Sequence, residues 1–374
     1  MPVEFIGIAH TSDYSETNAP SGPVVQPDYL HRIARVHEQS GFDRVLIAHS
    51  SSMPDGFTVA SQILNATERL GVLLAHRPGF IAPTIAARQY ATIDAFHPGR
   101  IALHVISGGD DADQARDGDF SDKPTRYRRT DEFLDIVERE WSSAERFDYE
   151  GEFYRVKGAL SSVRPPGGHL PIYFGGASED AVRVGGRHAD VYAFWGEPLD
   201  GIRQRISEVQ AAAQAAGRTV DRFSVSLRPI AADTEEAAWE RANEILERTQ
   251  ERAAEYVGLQ NTAGSEGSQR LLRYAGQKDL HDKRLWTALS KATGAAGNST
   301  ALVGSYEQVA ESLLDYVAVG ASTLLIRGYD PVGDAAAYGN LVRLVHEKVG
   351  DDILGFRAAA VLAGAALDRA RPVP

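Results

Sequence analysis

The chain has 374 residues, 43% of them hydrophobic, enough for a sizeable core and within the range of a single α/β barrel. Its formal net charge of −12 and sequence pI near 5.4 argue against nucleic acid or an anionic membrane as partner, since either needs a clustered basic face. With no cysteine there is no disulfide framework, thiolate nucleophile or cysteine metal site, and with no apolar span and no basic-then-apolar opening run the expected residence is cytoplasmic.

Short apolar runs bounded by turn residues predict strands over residues 4–9, 44–48, 70–75, 101–106, 172–174, 190–194, 223–227 and 322–326. Amphipathic stretches between them predict helices over 28–40, 56–67, 84–96, 125–142, 179–187, 199–216, 235–247, 306–319 and 334–349. Eight strand–helix units make a (β/α)8 TIM barrel the expected fold, as one domain over residues 1–374, with a site built by the loops that follow the strands. Residues 108–123 interrupt the pattern with a polar, acidic stretch, and 148–157 alternates like a small surface hairpin. Residues 248–298, rich in Gly, Ser, Thr, Gln and Lys, read either as a lid at the strands' C-terminal end or as a surface excursion. The Ala- and Arg-rich tail over 351–374 suits a helix on a partner subunit.

The run Leu170 to Ser178 joins an apolar strand to Gly175, Gly176, a hydroxyl and a helix start. Glycines let the backbone approach an anion, and the first amides of the helix lack carbonyl partners, so the turn can hold a phosphate. The plainer reading makes Ser178 an N-cap; the βα repeats on both sides favour the phosphate.

Other chemistries lack their signatures. The eleven histidines form no HxxxH or HxH pair beside carboxylates, so no metal site is expected. Asp110 to Asp113 read as a solvated acidic loop, and neither a GxSxG elbow nor a GxxxxGK[ST] loop occurs. Paired carboxylates for glycoside cleavage remain open, because spacing in sequence does not report them in a barrel.

Over almost the whole chain the order of phrases resembles the bacterial luciferase-like flavin monooxygenases, and within them the alkanesulfonate monooxygenase branch. The phrases are Gly41 to Ile47, Arg77-Pro78 followed by Pro83 to Gln89, Pro98-Gly99-Arg100, Arg126-Tyr127 with Glu132-Phe133, Tyr173 to Ser178, Trp195 to Pro198, Thr300 to Gly304, and Gly328-Tyr329. The resemblance implies a (β/α)8 barrel, reduced FMN supplied by a separate NAD(P)H-linked flavin reductase, molecular oxygen as co-substrate, and a homodimer or homotetramer. It places Gly175, Gly176 and Ser178 at the FMN phosphate, and His104, Ser107 and Tyr127 at the flavin. His104 stands where that branch has asparagine, and Lys123 where it has histidine.

For the substrate, the resemblance carries over Arg228, Trp195 and Tyr329 as catalytic positions. The histidine expected two residues after Arg228 is Ile230, and the lid arginine is Ala295 in an ungapped register. Arg327, His10 and His49 stand at strand ends, and Met53, at the position of a second-strand cysteine in relatives, completes the candidate substrate set; an exposed arginine such as Arg327 also has a plain surface ion-pair reading. An arginine grips two oxygens of a sulfonate or carboxylate at once. The implied reaction is oxygenation of a small anionic molecule, with an organosulfonate cleaved at C–S to sulfite and an aldehyde. Two alternatives stand beside it: a deazaflavin (F420) oxidoreductase on the same barrel, and a flavin-binding protein without turnover.

Overall fold

The computed structural model describes residues 3–257 and 265–351. Eight parallel strands form its centre: β1 (Glu4–Ile8), β2 (Arg44–Ile47), β3 (Gly71–His76), β4 (Ile101–Val105), β5 (Ile172–Gly175), β6 (Val191–Trp195), β7 (Arg222–Ala232) and β8 (Ala321–Ile326). Each pairs with the next, and β8 pairs back onto β1 through Glu4 opposite Thr323, so the sheet closes into the expected barrel. Eight helices follow the strands: α1 (Pro27–Gln39), α2 (Gly56–Ala66), α3 (Pro83–Phe96), α4 (Lys123–Ser142), α5 (Glu179–His188), α6 (Leu199–Ala215), α7 (Tyr306–Ala318) and α8 (Gly339–Asp351). Their starts are written locally. Proline opens α1 and α3, Asp55 and Asp122 accept from amides three residues on, and Ser305 with Gln308 forms a capping box.

Inside the barrel, Ile6, Leu73, Ala102, Tyr173, Val191 and Leu325 pack together above a polar floor, where the Tyr173 hydroxyl donates to Glu4 at 2.5 Å and Arg44 pairs with Glu4 at 3.0 Å. Side chains alternate along a strand, so two-residue steps from these positions bring His104, Gly175, Trp195 and Arg327 to the inner face of the mouth. Ser226 stands opposite both Trp195 and Leu325, which puts Arg228 on that face too.

Three departures from the expected pattern matter. Strand β7 runs five residues past its expected end, and its last part pairs in parallel with Ala301–Ser305; Leu285–Trp286 and Leu280–His281 continue this side sheet. The sequence hides the extension because Arg228 and Pro229 interrupt the apolar run. The helix expected over 235–247 extends to Val257 and covers the side sheet through Ala238, Ala242 and Ile245. The helix expected over 334–349 is two, Pro331–Ala337 and α8, divided at Tyr338. The expected hairpin is present as Phe147–Glu150 with Arg155–Ala159, and the acidic stretch contains a short helix, Asp111–Arg116. The tail beyond Asp351 lies outside the described residues. Among them, no helix is long and apolar enough to cross a membrane.

Candidate functional site

The turn from β5 into α5 is shaped from several directions. Ser178 caps α5, its hydroxyl oxygen accepting from the Ala181 amide at 3.3 Å, which leaves the hydroxyl proton to donate elsewhere. The Gly176 carbonyl accepts from the Tyr192 hydroxyl at 3.0 Å and from Arg205 at 2.9 Å. Across a trans peptide the N–H points opposite to the carbonyl, so these two bonds aim the Ala177 amide away from Tyr192 and Arg205. A β-carbon on Gly176 would lie 2.5 Å from that of Ala181 and 3.2 Å from the Tyr127 hydroxyl. Tyr127, buried at the opening of α4, is held above the usual phenol range by burial, against a hydrogen bond with the Ser178 side chain. The turn thus gathers two hydroxyls, an aimed amide and a helix N-terminus around a glycine that nothing larger can replace. That set fits a phosphate.

His104 stands one strand away; a β-carbon on Gly175 would be 3.5 Å from its ring. Burial pushes its pKa down to about 4, so it is neutral near pH 7, and Nδ1 has no partner among the described residues. Ser107 bonds the Thr130 hydroxyl at 3.1 Å, and Thr130 spends its own proton on the Arg126 carbonyl at 2.8 Å. Ser107 is therefore the donor to Thr130, and what it offers a ligand is lone pairs. A buried imidazole with an open nitrogen beside an acceptor hydroxyl suits the polar edge of a flavin.

Across the mouth, the ends of β7 and β8 meet the loop after β1. Arg228 is 2% exposed and holds Glu16 with both terminal nitrogens, at 2.8 and 2.9 Å, while donating to the Gly328 carbonyl at 2.9 Å. Its guanidinium lies 3.7 Å from the centroid of the Tyr329 ring. Arg327 reaches the same carboxylate at 2.5 Å, and Arg252 donates to the carbonyls of Ser15 and Glu16 at 3.0 and 3.2 Å. Burial alone would raise the pKa of Glu16; Arg228 and Arg327 outweigh it and hold the carboxyl well below its ordinary value. His10, bonded to the Tyr14 hydroxyl at 3.1 Å, is pushed down to about 3 by burial and then by Arg327.

The structure thus joins Arg228, Arg327, Tyr329 and His10 on one side and Gly175, Gly176, Ser178, Tyr127, His104 and Ser107 on another. Trp195, at the end of β6, packs against Gly267 in the helix Glu266–Gln277. His49 belongs to a knot of loops after β2, β3 and β4, where Arg77 and Ser51 both meet Asp113 at 2.5 Å; Met53 stands in the half-exposed turn beside it. No hydrogen bond joins either to the Glu16 cluster among the described residues. Ile230 packs into the apolar cluster of the side sheet. Ala295 is buried at a positive φ of 51°, its carbonyl accepting from Ser268 at 2.9 Å. Neither side chain can donate the hydrogen bonds that the resemblance expects of a histidine and an arginine there. Glu16, Arg252 and Arg205 escaped sequence reasoning; the only signal for Glu16 was a carboxylate in the first loop of a barrel. Among the described residues no group of three or more His, Asp or Glu side chains could hold a metal ion.

A family model described as luciferase-like monooxygenase matches residues 5–323. Among solved structures, a riboflavin lyase (RcaE) matches with a TM-score of 0.77 and 20% identity, covering 94% of this chain and 92% of that one. The EDTA monooxygenase EmoA from Chelativorans sp. BNC1 matches with a TM-score of 0.72 and 19% identity, covering 93% and 94%. An F420-dependent secondary alcohol dehydrogenase matches with a TM-score of 0.66 and 16% identity, covering 92% and 99%.

Proposed function

The chain belongs to the luciferase-like monooxygenase family, and from that premise we propose that it binds reduced FMN and uses molecular oxygen on a small anionic organic molecule. The observation that carries the reading is the β5–α5 turn, where Gly176 is pinned by Tyr192 and Arg205 and faced by the Tyr127 hydroxyl. Ser178, Tyr127 and the Ala177 amide would hold the phosphate, and neutral His104 with Ser107 would meet the ring's polar edge. When bound, reduced FMN supplies the electrons with which dioxygen is activated. This chain's part is to bind, orient and keep water out.

Enclosure comes from the insertion. The helix Glu266–Gln277 is anchored by Arg270, whose two nitrogens reach Glu197 at 2.6 and 2.5 Å, and it brings Gly267 onto Trp195 and Ser265 against Gly109. It therefore touches the loops after β4 and β6, as a lid would. Arg327, more open than Arg228, and Trp195 would hold the substrate, with Tyr329 behind them. An organosulfonate cleaved at C–S to sulfite and an aldehyde, with FMN and water as the other products, is the substrate class proposed; two arginines support it, although Ile230 and Ala295 contribute nothing. The reduced cofactor would come from a separate flavin reductase, and the protein would act as a homodimer or homotetramer.

The match to an F420-dependent dehydrogenase favours a second reading, hydride transfer with a deazaflavin on the same barrel. Anaerobic titration of the protein with FMNH2 and with reduced F420, followed by oxygen uptake with a panel of sulfonates and carboxylates, separates them. Tight binding of FMNH2 with substrate-dependent oxygen uptake is expected; binding of reduced F420 alone would overturn the proposal.

A further inference from the structure

The loop after β1 carries a carboxylate for which the proposed function has no use. Glu16 is 4% exposed, and Arg228 engages both of its oxygens at 2.8 and 2.9 Å, the two-point geometry with which a guanidinium holds a small carboxylate or sulfonate. Arg327 adds a contact at 2.5 Å, and Tyr329 walls the cation from behind. An anion-binding arrangement is thus complete, and the anion is part of the chain. A buried arginine is costly without a counter-charge, so a site built to receive an anion needs an internal one while it waits.

We infer that Glu16 is a resident stand-in for the anionic group of the substrate, which enters by exchanging places with it. The inference rests on the anionic-substrate reading above. Exchange keeps Arg228 and Arg327 paired throughout. Arg252 donates to the carbonyls of Ser15 and Glu16 and so holds the backbone of this loop. The loop itself stays anchored, because the Thr17 hydroxyl donates to the Tyr329 carbonyl at 3.2 Å, so only the Glu16 side chain has to rotate. The internal competitor also selects. A bare inorganic anion gains too little to displace Glu16, whereas an organic one brings apolar surface of its own to bury.

Calorimetric titration of the full chain with butanesulfonate, butanoate and butan-1-ol tests this. Glu16→Gln keeps the shape and removes the charge; Glu16→Asp keeps the charge but is one methylene short of the two-point grip. Each variant is expected to bind both anions at least tenfold more tightly than the unaltered protein, with butan-1-ol unchanged. A folded variant, melting within a few degrees of the unaltered protein, whose anion affinity is equal or lower overturns the inference and leaves the anionic-substrate reading standing. Absence of anion binding by all three proteins overturns both, while FMNH2 binding, read separately, does not depend on either. Should Glu16→Gln not fold, Glu16→Asp decides.

Discussion

The indole of Trp195 rests against Gly267 so closely that a β-carbon at 267 would lie 2.9 Å from the ring. The contact joins the end of β6 to the first turn of the insertion helix, where only a glycine allows it. Helix propensity would favour almost any other residue here.

Gly267→Val should therefore lift the helix or twist the indole, at a cost of about 1–3 kcal/mol typical of overpacking. If the insertion encloses the substrate, KM should rise severalfold while FMNH2 affinity stays within twofold. Steady-state kinetics with a paired anaerobic titration checks this; an unchanged KM counts against the lid.

At the β5 turn, Ser178→Asp should weaken FMNH2 binding strongly, because its carboxylate would repel the phosphate that the helix N-terminus attracts. Gly176→Ala should do likewise by a different route, since its methyl would lie 2.5 Å from the Ala181 β-carbon and 3.2 Å from the Tyr127 hydroxyl. Fluorescence-monitored anaerobic titration is the measurement. Wild-type affinity in both variants would remove the phosphate from this turn.

Arg228→Ala leaves Glu16 buried beside fewer positive charges and should destabilise the fold by about 3–5 kcal/mol, the usual loss when one partner of a buried pair is removed. Lysine should restore only part, as one ammonium cannot copy the fork. Because Glu16 titrates well below its ordinary value in the native state, the pair's contribution is full above the unfolded-state pKa and is lost as pH falls through the lower folded value. Urea unfolding at neutral and acidic pH reads both effects.

His76 packs between Phe57, Tyr90 and Phe133, stacked on the last at 5.2 Å, and burial pushes its pKa down to about 3. The unfolded chain therefore binds a proton that the native one refuses. Stability should fall as pH drops below about 6.5 toward the folded value, by up to about 1.4 kcal/mol per pH unit from this group. His76→Phe should flatten that part of the profile. An identical acid slope in the variant would mean that the imidazole takes up its proton in the folded state.

What the sequence determined by itself was the barrel. Each strand is a local apolar run between turn residues, most of the helices start at a proline or at a capping Asp or Ser, and the order of eight such units leaves few ways to close a sheet. The β5 turn was legible for the same reason: glycine, glycine, hydroxyl and helix start are neighbours in the chain, and so are the amides they organise. Arg228 was legible as a cation at a strand end, but its counter-ion was not, because Glu16 lies 212 residues away and no spacing encodes that meeting. Only the closed barrel, by bringing the loop after β1 beside β7 and β8, decided that this arginine already holds an anion. Tertiary pairing likewise carried β7 past Arg228 and Pro229, since the ladder with Ala301–Ser305 supplies hydrogen bonds that local propensity cannot announce.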